Sequence, residues 1–76
     1  MNEKEKELTQ QLADIDNQLR NYRMERILKI LHNKKPTGKH IQGLAARLCE
    51  LRRMYELASA RYQIDQVLTD LEDFLE

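Results

Sequence analysis

Large apolar residues in the first half of the chain fall at Leu8, Leu12, Ile15, Leu19, Tyr22, Ile27 and Ile30. Steps of mostly three or four residues draw a stripe along a helix, and no stretch alternates as a strand would. Asn2 followed by Glu5 has the spacing of a capping box and predicts the helix start. The stop signal is Asn33-Lys34-Lys35-Pro36-Thr37-Gly38. Pro36 disfavours helical geometry at Lys35, and Thr37 is a candidate N-cap for the next helix. The second half carries Ile41, Leu44, Leu48, Leu51, Tyr55, Ala58 and Tyr62, then Leu57, Ile64, Leu68, Leu71 and Leu75. No Gly or Pro interrupts it after Gly43. The pattern predicts one all-α domain over residues 1–76. Its helices run over about 3–33 and 38–75, with a basic turn at 34–37, and a short connection makes them antiparallel neighbours, a coiled-coil-like hairpin.

Each predicted helix has two apolar faces. At about 100° per residue, Leu19 and Leu28 point to opposite sides. Met24, Leu28 and Leu31 therefore lie away from Leu8, Leu12, Ile15 and Leu19. The Ile41–Tyr62 stripe likewise differs from the set Leu57, Ile64, Leu68 and Leu71. A two-helix hairpin buries one face per helix, with Leu12, Ile15, Leu19, Leu48, Leu51, Tyr55 and Leu68 as the expected seam. The other face would stay in water at roughly 1.5–3 kcal/mol per large side chain. The expectation is therefore self-association, most simply a homodimer forming a four-helix bundle. The alternative is that a curved helix or a third short element covers the second stripe.

Charge changes the picture more than composition does. The 76 residues hold 13 Lys+Arg and 13 Asp+Glu. The zero sum hides a segregation: residues 20–53 carry +8, residues 1–19 carry −3 and residues 54–76 carry −5. A hairpin would gather the positive charge at its turn end. Arg26 would face Arg47, and Arg20 would face Arg52 or Arg53, so the field would need an outside partner. The expected partner-facing set is Arg20, Arg23, Met24, Arg26, Leu28, Leu31, Arg47, Arg52, Arg53 and Leu57. Its partner would be a protein, for which an acidic surface is one option. The alternative is a nucleic-acid-binding hairpin dimer that uses the basic turn end.

No apolar run approaches the ~18 residues of a membrane span, so no membrane partner is expected. The lone Cys49 and the charged start Glu3-Lys4-Glu5-Lys6-Glu7 fit a cytoplasmic protein. Gly43 marks either a close backbone approach or a surface position. No Ser/His/Asp set, Gly-rich phosphate loop or Cys-x-x-Cys motif is present, and His32, His40 and Cys49 lack metal-ligand spacing. The expectation is a non-enzymatic regulator, inhibitor or co-chaperone without a cofactor.

The segment Leu12–Lys35, with Ile15-Asp16, Leu19 and Arg26, resembles the opening helix of the all-helical chorismate mutases. That family also needs a third helix with polar ligands, for which a two-helix reading leaves no room. The hairpin is also similar to the coiled-coil hairpins of transcript-cleavage factors, but those carry acidic tips and this one has Lys34, Lys35 and Lys39. Ile41 to Leu71, with Ala58, Ala60, Val67 and Leu68, is similar in spacing to the second helix of co-chaperones of type III secretion needle subunits.

Overall fold

The computed structural model describes residues 2–75 and contains three helices: α1 (Glu3–Lys34), α2 (Lys39–Arg53) and α3 (Ala58–Leu75). The all-helical expectation stands, but the two-helix hairpin does not. The segment read as one helix over 38–75 breaks at residues 54–57.

At the start of α1 the Asn2 side chain accepts a hydrogen bond from the Glu5 amide at 2.8 Å, as the capping pattern predicts. Glu3 and Glu5 lie in the first turn, next to the positive end of the helix dipole. The helix ends where Lys35 turns left-handed, with φ 45° and ψ 59°, and its amide donates to the Leu31 carbonyl. Pro36 follows and cannot continue the ladder. The cap of α2 is Gly38, not the expected Thr37. A Cβ on Gly43 would meet nothing within 4 Å, which makes it the surface glycine of the two readings.

The break after Arg53 needs no Gly or Pro. The Met54 amide donates to Leu51, and the Leu57 amide donates to Met54, both at 2.9 Å. These tighter bonds close the turn, and Arg61 donates to the Tyr55 carbonyl while its guanidinium lies over the Tyr55 ring. The cause lies in the apolar phase. Leu48 and Leu51 face one way, and Ala60, Ile64, Val67, Leu68 and Leu71 carry a second stripe. Reversal of the chain buries the two stripes on each other within one molecule, where a straight helix would leave one wet.

The result is an up-down-up arrangement. Phe74 packs its ring edge on His40, and Arg47 donates to Gln63, so α3 runs antiparallel to α2. Arg20 meets Asp65 and Arg23 meets Glu72, so α3 runs parallel to α1. The core between them is filled by the fully buried Ile27, Leu48, Leu51, Ile64, Leu68 and Leu71. Leu28, Ile30, Leu31, Ile41, Leu44, Tyr55 and Leu75 pack around these residues.

Only the C-terminal part of α1 belongs to this bundle. Its first buried residue is Arg20, and every residue from Glu3 to Asp16 is exposed. That segment is a single-helix arm about 20 Å long at the helical rise. It gives the molecule its extents of 51 × 20 × 17 Å. The two faces of α1 are therefore exchanged relative to the sequence expectation. Leu12, Ile15 and Leu19, expected in the seam, are on the surface, and Met24, expected to face a partner, is 4% exposed in the core. The reason is the third helix: α3 reaches the Met24–Ile27 side of α1, and no described element covers the other side.

Candidate interaction surface

The basic ladder of α1 meets α3. Arg20 is 6% exposed. Its Nε and Nη2 donate to the two carboxylate oxygens of Asp65, each at 2.8 Å. Nη2 also donates to Asp16 Oδ2 at 2.7 Å, and Nη1 donates to Asn17 Oδ1 at 2.8 Å. Arg23 forms a second fork: Nη2 to Glu72 Oε1 at 2.6 Å and Nε to Glu72 Oε2 at 3.1 Å. Arg26 Nη2 donates to the same Oε2 at 3.1 Å. Planar guanidinium matches planar carboxylate, so two-point pairs of this kind fix the azimuth of α3 on α1.

These pairs take Arg20, Arg23 and Arg26 out of the expected field at the turn end. In a hairpin the arginines would have faced arginines; with α3 folded back they face Asp65 and Glu72. Hydrogen bonding from Asp65 raises the Arg20 pKa, and hydrogen bonding from Glu72 raises that of Arg23. Hydrogen bonding from Arg23, and then its charge, holds the Glu72 carboxyl below the ordinary glutamate range against the opposing effect of burial.

A carboxylate with a depressed folded pKa stabilises the fold fully above its unfolded pKa. That contribution is lost as pH falls through the folded value. Glu72→Gln is therefore expected to destabilise the bundle by about 1–2 kcal/mol at neutral pH, an estimate for a half-buried two-point pair. It should also flatten the acid side of the stability profile. Urea titrations of both proteins at neutral pH and in the acid range check this; equal acid slopes would remove Glu72 as the cause.

The other expected contact residues scatter. Arg47 reaches Glu50 and Gln63 across the α2–α3 face. Leu28 and Leu31 are half-buried against the core, so neither is a free anchor. Arg52, Arg53 and Leu57 are exposed together near the α2–α3 turn, beside Met54. Sequence reasoning missed Asn17, Asp65, Thr69 and Glu72 as ladder partners. The available signal was a pair of carboxylates seven residues apart on one face of α3, Asp65 and Glu72, but its use is legible only once α3 is known to run parallel to α1. No group of three or more His, Cys, Asp or Glu side chains among the described residues is placed to hold a metal ion. No described helix is long and apolar enough to cross a membrane.

An uncovered apolar stripe runs along the arm and on into the following turns of α1. Leu8, Leu12, Ile15, Leu19 and Tyr22 alternate steps of four and three residues, the spacing of a coiled-coil seam. Their exposures run from 47% at Leu8 to 70% at Leu12. At 100° per residue this stripe points about 125° away from the Arg20–Met24–Ile27 face that carries the bundle. A shallow hollow lined by Tyr22, Glu25, Arg26 and Lys29 continues it toward the bundle. Comparison of the chain with protein-family models, curated proteins and solved structures gives no match. The chemistry of the surface therefore has to carry the functional reading.

The third helix removes one objection to the chorismate mutase resemblance, since the chain does have room for it. The α3 groups that meet Arg20 and Arg23 are the carboxylates of Asp65 and Glu72.

Proposed function

We propose that the protein is a non-enzymatic helical interaction module of the cytoplasm that self-associates and binds a partner protein. The observation that carries this reading is the stripe on α1: five large apolar side chains at seam spacing, all exposed, three of them on the solitary arm. Leaving such a stripe in water is unfavourable by roughly 1.5–3 kcal/mol per side chain, and an exposed patch of this kind marks an interface. The four-helix bundle expected of two hairpins gives way to two three-helix units joined through their arms.

A second surface suits the partner. Met54 and Leu57 are exposed at the α2–α3 turn, next to the exposed Arg52 and Arg53. A small apolar spot ringed by arginines favours a protein with an acidic rim around an apolar contact. The nucleic-acid alternative keeps Lys34, Lys35 and Lys39 at the α1–α2 turn, but Arg20, Arg23 and Arg26 are engaged by carboxylates. Protein association is the better-supported reading.

Ile15→Asp tests it. Ile15 is 61% exposed, so the substitution leaves the bundle core intact. The expected result is a wild-type protein that is dimeric by sedimentation equilibrium at micromolar concentration. The variant should be monomeric, with bundle melting retained. A wild type that sediments as a monomer throughout would overturn the self-association reading.

A further inference from the structure

The arm also carries the information for how two copies meet. Resting on the self-association reading, we infer that the arms of two copies pair antiparallel about a two-fold axis between Ala13 and Asp14. In seam notation Leu8, Ile15 and Tyr22 are d positions, and Glu5, Leu12, Leu19 and Arg26 are a positions. Antiparallel helices match a with d. With the axis between Ala13 and Asp14, Leu12 meets Ile15 of the second copy and Leu8 meets its Leu19. Each contact occurs twice by symmetry, so four of the five stripe residues are used in apolar layers.

The flanking charges select this arrangement over its competitors. The g positions are Lys4, Gln11, Gln18 and Glu25. In the antiparallel register Lys4 lies beside Glu25 of the second copy, and Gln11 lies beside Gln18, each pair again made twice. A parallel in-register pair would instead stack Glu5 on Glu5 and Arg26 on Arg26, and would set Lys4 against Thr9 with no ion pair. An antiparallel pair shifted by one heptad would bring Asp16 against Asp16 and place Leu8 opposite Arg26. The stripe residues Leu8, Leu12, Ile15 and Leu19 that the chosen register uses are all exposed, and by helical phase they point about 120° away from the buried Met24 and Ile27.

Charge reversal provides the test. Lys4 and Glu25 are both exposed. They are 21 residues apart on one helix, about 31 Å by the helical rise, so they cannot couple within a chain. Lys4→Glu and Glu25→Lys are each expected to weaken the dimer about tenfold, since each turns two attractions into two repulsions. The double variant should recover wild-type affinity in sedimentation equilibrium. A spin label on Glu3→Cys, with Cys49→Ser, should report a distance of about 30 Å or more between copies. A parallel pair would give about 20 Å, from the interaxial spacing and the label arms.

A monomeric wild type overturns the self-association reading itself. A dimeric wild type with no loss in the single variants, no recovery in the double variant or the short distance leaves that reading standing and overturns the antiparallel register.

Discussion

Leu68→Ala is expected to destabilise the protein by about 2–5 kcal/mol, the range for truncating a fully buried leucine. Leu68 has no exposure and sits in the core with Leu48, Leu51, Ile64 and Leu71. For a chain of this length total stability is on the order of 4–11 kcal/mol, so a large share of the folded population is at stake. The matched control is Leu12→Ala on the arm. Leu12 is 70% exposed, and its truncation should stay within about 0.5 kcal/mol at concentrations where the protein is monomeric. Urea denaturation with circular dichroism detection checks the pair. Equal losses at the two positions would mean that α1 packs through the Leu8–Leu19 stripe, as the hairpin reading supposed.

The second large effect concerns Arg20. Its guanidinium makes four hydrogen bonds, to Asp16, Asn17 and both oxygens of Asp65. Arg20→Ala removes them together with the stem that packs against the bundle, and an expected loss of about 2–4 kcal/mol follows. The lower part of that range applies because Asp16 and Asp65 are 63% and 39% exposed and can take up water once stranded. Arg20→Met keeps the stem and should recover about half of the loss. Thermal melts of both variants decide between the contributions. If alanine and methionine are equally damaging, the ion pairs dominate; if methionine is near wild type, the packing does.

These two sites also show what was legible in the sequence. The α1 cap at Asn2 and its stop at Lys35-Pro36 depend on local chemistry and could be read residue by residue. So could the helical character of Leu44–Leu51 and Ile64–Leu71, because 3.6-residue periodicity survives whatever the helix packs against. The turn at residues 54–57 could not be read from breakers, since Met54, Tyr55, Glu56 and Leu57 include neither Gly nor Pro. Its trace was the phase change between the Ile41–Tyr62 stripe and the Leu57–Leu71 stripe. That change fits a straight helix with two faces as well as a reversal that buries one stripe on the other. The energy of covering both stripes within one chain decided it, and that is a tertiary quantity. The choice of the buried α1 face followed from the same turn. Met24 and Ile27 are no more apolar than Leu12 and Ile15, but α3 reaches only the first pair. The arginine ladder was visible as a ladder; its acidic partners were not, because Asp65 and Glu72 lie 45 and 49 residues from Arg20 and Arg23 along the chain.

The 32 residues of α1 contain no Gly or Pro from Glu3 to Lys34, so one unbroken helix is both arm and bundle wall. Its continuity makes the direction in which the arm presents its stripe a matter of counting. One residue inserted at Gln18 would rotate everything N-terminal to it by about 100° and carry the tip forward by about 1.5 Å, while the bundle stayed as it is. Seven inserted residues would lengthen the arm by about two turns and return the stripe to within roughly 20° of its original bearing. The molecule thus behaves as a keyed shaft, in which reach and bearing are set together by a residue count and only insertions that complete nearly whole turns change one without the other.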